Sequence, residues 1–305
     1  MNARGTESVQ EKRRSSGVSA GAGRPIRRRS QYDGEAPDGF LLSLLKDVAP
    51  ESSDIVAFYK AYFDESRLYG GRNSFALSGV VFRQSRAAAF LPVWRRATGG
   101  KFHLTDVVRG KKYYNKSKFT VSERSAIIWE AVRLVNQYRM LTVACSCNVQ
   151  DHEEVAGAKN FLGFRSPYGI CAHFGMTALG NWLRRKRIPG KVAYVFEDGH
   201  QDAKDARELF KIVSQSRTLK DKYRHRSDTF LEKEEAGAVP LQAGDLVTGV
   251  FSRYQERPDQ KILGIKIEDL YYSLSLHDPS KSVTAHLDTK KLQKFQDTLL
   301  LLWHG

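Results

Sequence analysis

The order of elements predicts an α/β chain: a mixed sheet flanked by helices on both faces. Two observations carry that prediction. Two β-rich runs, Ile55 to Phe63 and Phe75 to Phe82, follow one another around a glycine turn and so make a hairpin. Beyond residue 120, helical and extended patterns alternate, which argues for crossover units added to the hairpin sheet.

The elements follow in order. Residues 1–40 are rich in Gly, Ser and Arg with almost no apolar periodicity, and are expected to form a disordered basic arm. The core domain is expected over residues 50–255. The hairpin opens it, with Gly70-Gly71 in the turn. Residues 84–98 read as a short helix, and a third strand is expected near Lys101. Thr120-Val121-Ser122-Glu123 has capping-box spacing and opens a helix whose apolar stripe is Ile127, Ala131, Leu134, Val135 and Tyr138. Leu141 to Val149 is a strand. Ser166-Pro167 opens another helix, and Pro189-Gly190 stops it. Val192 to Phe196 is a strand, Asp202 to about Ser216 a helix, and Leu241 to Tyr254 one more helix. Residues 256–305 read as an extension ending in a helix from about Lys290 to Trp303. This is the element order of the ribonuclease-H-like fold.

The net charge of +15 favours anionic partners, nucleic acid or an anionic surface. No apolar run approaches the roughly 20 residues that span a bilayer, so no membrane partner is expected. The N-terminal stretch has arginines but no apolar h-region. The cysteines, Cys145, Cys147 and Cys171, form no CxxC pair and read as buried thiols in a reduced, cytoplasmic protein. Arg109, Lys111, Lys112, Lys116 and Lys118 surround Tyr113 and Tyr114. Cations reach phosphates and rings stack on bases, so this is the best nucleic-acid-binding segment. Arg184-Arg185-Lys186-Arg187 is a second basic run, at a helix C-terminus where the dipole also favours cations.

Acids end several apolar runs: Asp64 and Glu65, then Glu197 and Asp198, with Asp245 near the start of a helix. Carboxylates brought together from distant strand ends are what holds divalent metal beside a phosphate. Side chains alternate along a strand, so only one of Asp64 and Glu65 can enter a site built on one face. Asp64 is that residue, and Glu65 is expected to cap or to pair with a basic neighbour. The same parity excludes Glu197 and Asp198 from facing one way together, without choosing between them. Gln242 and Asp245 stand one helical turn apart. They either aim at a phosphate or backbone group and a metal, or begin a helix where an acid suits the dipole. His103, three residues before Asp106, is a candidate proton carrier. Asp64, one of Glu197 and Asp198, and Asp245 are expected to converge, with carboxyl oxygens roughly 4–8 Å apart.

Phe63-Asp64-Glu65-Ser66, Phe75-Ala76-Leu77-Ser78-Gly79-Val80, Phe102-His103-Leu104-Thr105-Asp106, Val195-Phe196-Glu197-Asp198-Gly199 and Leu241-Gln242-Ala243-Gly244-Asp245 occur in this order. Together they resemble the domain-of-unknown-function 3800 family, over about Val56 to Tyr254. The resemblance implies a ribonuclease-H-like fold and a nuclease dependent on a divalent cation, Mg²⁺ or Mn²⁺. By position it makes Asp64 the first-strand acid, Glu197 the later strand-end acid, Asp245 the helix acid and His103 the mid-chain histidine. One departure stands out: the strand Leu141 to Val149 carries no acid at its end, and Asp151 lies just beyond. The competing reading is a non-catalytic nucleic-acid-binding protein that keeps the fold. A pure binder has no reason to gather carboxylates beside phosphates, so the placement of the acids separates the two.

Overall fold

The hairpin grows into a three-stranded antiparallel meander, and two further strands extend it on the far side of its first strand. The computed structural model describes residues 58–67, 74–156, 166–200, 202–231 and 238–303. The expected basic arm lies outside them. β1 (Phe58–Arg67) pairs antiparallel with β2 (Ser74–Arg83), and β2 with β3 (Leu141–Asn148). On the other side β1 pairs parallel with β4 (Lys191–Glu197), and β4 with β5 (His225–Leu231). The segment after residue 256 contributes β8 (Ser282–Leu287), parallel to β3 at the opposite edge. A separate two-stranded ribbon pairs β6 (Lys261–Ile262) with β7 (Ile265–Lys266). The six-stranded order β5-β4-β1-β2-β3-β8 contains the ribonuclease-H-like arrangement, a mixed sheet with β2 alone running against the rest.

Period-two alternation divides the strands between two cores. Tyr59, Ala61 and Phe63 face one layer, and Tyr62 faces the other. The first layer is built from α4 (Val149–Ala156), α5 (Pro167–Arg185), α6 (Ala203–Gln215) and α10 (Thr289–Trp303). The second holds α1 (Gln84–Thr98), α2 (Leu104–Arg109), α3 (Val121–Tyr138), α8 (Leu241–Glu256) and α9 (Ile267–Ser273). A short helix, α7 (Arg217–Lys222), leads into β5.

The local signals act as expected where the partners are close in sequence. Thr120 and Glu123 form the reciprocal capping box of α3. Ser166 caps α5 with Pro167 at its first position. The strand expected near Lys101 is absent. Residues 101–103 are irregular and lead into α2, because the backbone there bonds to side chains of α8 rather than to a strand. The basic run at residues 222–226 hides the start of β5, and the polar surface of β8 conceals an edge strand. The three cysteines are buried and unbridged, with Cys147 and Cys171 sulfurs 3.9 Å apart.

Candidate metal centre

β1 and β4 run parallel at the centre of the sheet, and their register sets Phe63 beside Phe196. The next residue of each strand is an acid, so Asp64 and Glu197 emerge at the same end. Asp64 is fully buried; Glu65 and Glu197 are half-buried. One carboxylate oxygen from each of Asp64, Glu65 and Glu197 lies within 4.8 Å of the other two. Among the described residues this is the one such group of three or more potential metal ligands.

Close packing of α8 makes the buried position of Asp64 possible. A Cβ placed on Gly244 would stand 3.1 Å from the Asp64 Cβ and 3.3 Å from the Tyr62 carbonyl oxygen. Any side chain there would push against β1, so glycine suits this close approach of the helix. The Thr248 hydroxyl donates to the Asp64 carbonyl at 3.0 Å and pins helix to strand. The Asp64 carboxylate accepts the Glu65 backbone N–H at 2.9 Å.

Glu65 is a correction. Parity does send its Cβ to the α5 side, with Ala61 and Phe63. β4 stops at Glu197 while β1 runs on to Arg67, so no β4 residue flanks β1 past Asp64, and one oxygen of the longer glutamate side chain comes within 4.8 Å of the other two acids. Between Glu197 and Asp198, the structure brings Glu197 to the group. Asp198 turns away and pairs with Arg207. The Arg207 hydrogen bond, and then the Gly199 backbone N–H, hold its carboxyl below the usual range.

Tyr168, in the first turn of α5, is the neighbour that sequence reasoning missed. It is fully buried, and among the described residues its hydroxyl has no hydrogen-bond partner. Burial, followed by the charges of Glu65, Asp64 and Glu197, holds that hydroxyl protonated. His200 stacks on the ring with centroids 5.2 Å apart. No spacing rule connects residue 168 to residue 64; only the docking of α5 does.

Asp245 does not join the carboxylate group. One of its oxygens accepts the Leu104 backbone N–H at 2.6 Å, and the other lies 3.4 Å from His103 Nε2. It therefore holds the start of α2 and pairs with the candidate proton carrier. Gln242 is also a correction as a phosphate contact. Its amide oxygen accepts from Trp94 Nε1 at 2.9 Å and from the Phe102 N–H at 3.0 Å, while its nitrogen donates to the Gly100 carbonyl at 2.8 Å. Those bonds fasten the loop between α1 and α2 onto α8.

The basic segment is presented to solvent by that same loop system. Arg109, Lys111, Lys112, Tyr113, Lys116 and Lys118 are all exposed. Beneath them Tyr114 is buried and donates to the Thr98 carbonyl at 2.6 Å, while buried Arg124 donates to the carbonyls of Val107 and Val108. Lys112 Nζ lies 3.2 Å from Asp106. A run of contacts links this platform to the acids: Asp106 beside His103, His103 beside Asp245, and Gly244 against Asp64. The described residues contain no helix long and apolar enough to cross a membrane.

Oxygen-only donors suit a hard divalent cation such as Mg²⁺ or Mn²⁺. An octahedral ion with ligands at 2.0–2.1 Å spans about 4.2 Å between opposite oxygens. Three carboxylate oxygens within 4.8 Å of one another are the kind of donor set such an ion takes, so the residues fit it.

No protein-family model and no curated protein matches the sequence. Among solved structures, a chain of the PCNA:RNase HII complex from Archaeoglobus fulgidus is similar over 80% of this chain and 87% of that one, at 12% identity and a TM-score of 0.32. A likeness that distant carries no argument, and the ribonuclease-H-like assignment rests on the strand order.

Proposed function

We propose that the protein is a divalent-metal-dependent phosphodiesterase acting on nucleic acid, with Asp64, Glu65 and Glu197 as metal ligands. The convergence of these three carboxylates from two neighbouring central strands is the observation that carries the reading. Membership of the domain-of-unknown-function 3800 family, on the motifs quoted above, belongs to the same proposal. A bound cation would supply charge for the scissile phosphate and acidify a water. The remaining work falls to the chain itself. The acids orient the cation, with Gly244 and Thr248 fixing Asp64 from behind. The exposed lysines and Tyr113 hold the phosphodiester backbone. His103, steadied by Asp245, would carry a proton.

The binding-only alternative predicted scattered or individually paired acids. The acids are not scattered: Asp64, Glu65 and Glu197 gather in one place. The test is cleavage of single-stranded and duplex DNA and RNA with Mg²⁺ or Mn²⁺, using EDTA as control. Asp64→Asn should abolish cutting while nucleic-acid binding persists. Equal cutting by the variant, or EDTA-resistant cutting, would refute the assignment.

A further inference from the structure

Helix α5 carries Tyr168 beside the carboxylates in its first turn and Trp182 about 21 Å further along, at 1.5 Å per residue. There a cavity of about 540 Å³ opens between the last turn of α5 and the start of edge strand β8. Its polar lining is Trp182, Arg185, Lys186, His277, Ser282 and Thr284. The basic groups come from two separate parts of the chain, and no carboxylate lines the cavity. No ion pair among the described residues engages Arg185, Lys186 or His277. The nearest acid by sequence, Asp278, already accepts from the Ser280 backbone N–H at 2.8 Å and hydroxyl at 2.7 Å. Its charge also faces Lys281, His277 and buried Arg139.

Cations at a helix C-terminus have an ordinary explanation in the dipole. Arg184 fits it, since it donates to the Lys222 carbonyl and the Asn181 side chain. That explanation does not extend to His277, which lies outside the helix. Nor does it account for Trp182, which is 6% exposed and forms part of the cavity wall. A second cavity of about 470 Å³ shares Arg185 and Val283 and continues along α5 past Asn181.

We propose that this cavity is a phosphate-binding site, separate from the metal centre and independent of the nuclease reading. Arg185, Lys186 and His277 would face the anion, with the Trp182 ring in the wall beside it. The volume lies within the roughly 300–1,000 Å³ of small-ligand sites. A phosphate monoester of nucleotide size, or a phosphodiester whose chain runs on into the second cavity, fills it better than a bare anion.

The test uses the full chain in EDTA, so that metal-dependent cutting cannot interfere. Indole N–H resonances are followed by NMR while inorganic phosphate, AMP or a short oligodeoxynucleotide is added, with chloride at matched ionic strength as control. The Trp182 resonance is assigned by its loss in Trp182→Phe. It should move saturably with phosphate compounds and not with chloride. Tighter binding of AMP than of the oligonucleotide would identify a nucleotide site, and the reverse order a backbone site. Arg185→Glu with Lys186→Glu, both at exposed positions, should weaken binding at least tenfold by calorimetry, even if Trp182→Phe fails to fold. The proposal is overturned if no phosphate compound binds below about 10 mM, weaker than any useful site. Equal binding by the double variant would overturn it as well.

Discussion

Two acidic neighbourhoods meet at Gly244 and do opposite things. On the strand side, Asp64, Glu65 and Glu197 bring three carboxylates together. On the helix side, Asp245 spends its carboxylate on the Leu104 N–H and on His103, and Gln242 spends its amide on Trp94, Phe102 and Gly100. Both neighbourhoods come from short motifs with an acid beside apolar residues. What separates them is what stands beside each acid. α8 lies against an irregular loop whose backbone N–H groups need acceptors, and Asp64, Glu65 and Glu197 lie beside one another. A motif acid next to a loop becomes an anchor, and one next to acids becomes a candidate ligand.

The comparison breaks most visibly through activity. Asp64→Asn and Glu197→Gln should each lower metal-dependent cleavage by at least about 100-fold, the upper end of what even outer-shell metal-site changes cost. Asp245→Asn keeps an acceptor for the Leu104 N–H and should retain metal binding by calorimetry. Loss of metal binding in folded Asp245→Asn would place Asp245 among the ligands and erase the distinction.

Stability should show the reverse order. Gln242→Ala strands the Trp94 and Phe102 N–H groups and the Gly100 carbonyl. At about 1–3 kcal/mol for each unsatisfied buried group, it should destabilise by at least about 3 kcal/mol in denaturant unfolding. Asp64→Asn, nearly isosteric, should cost much less; a larger loss than for Gln242→Ala would show Asp64 to be the structural residue.

The platform is sharpened by salt. Changing Lys111, Lys112 and Lys116 to Glu should weaken nucleic-acid binding, and lower the slope of log affinity against log salt by roughly one for each lysine that sits on a phosphate. An unchanged slope would move the interface elsewhere.

The smallest effect belongs to Asp198. Its pair with Arg207 is solvent-exposed and screened, so Asp198→Asn should cost less than about 1 kcal/mol at neutral pH. Its folded pKa is depressed. The pair therefore stabilises fully above the ordinary carboxyl pKa of about 3.9, and that contribution disappears as pH falls through the lower folded value. The variant should lose only this acid-limb slope in a stability profile, and wild-type slope in the variant would assign it to another group.

The sequence by itself determined the elements whose cause is local. The capping box at Thr120, the Ser166-Pro167 helix start, the pairing of β1 with β2 and the alternation of Tyr59 to Phe63 each depend on residues close in sequence, while the expected Gly70-Gly71 turn lies outside the described residues. It also delivered Glu197 as a strand-end acid and the lysine-rich segment as an exposed basic surface, whereas Asp64 lies inside a strand that runs on to Arg67. The tertiary structure decided everything that depended on what packs against what. β8 could not be read because an edge strand has little buried alternation to reveal it, and its only strand partner in the sheet, β3, lies some 140 residues earlier. Glu65 entered the site because parity fixes where a Cβ starts, not where a carboxylate ends. Gln242 and Asp245 became anchors because folding set them against loop N–H groups that no water could satisfy once buried, and Tyr168 reached the acids only when α5 docked on the sheet.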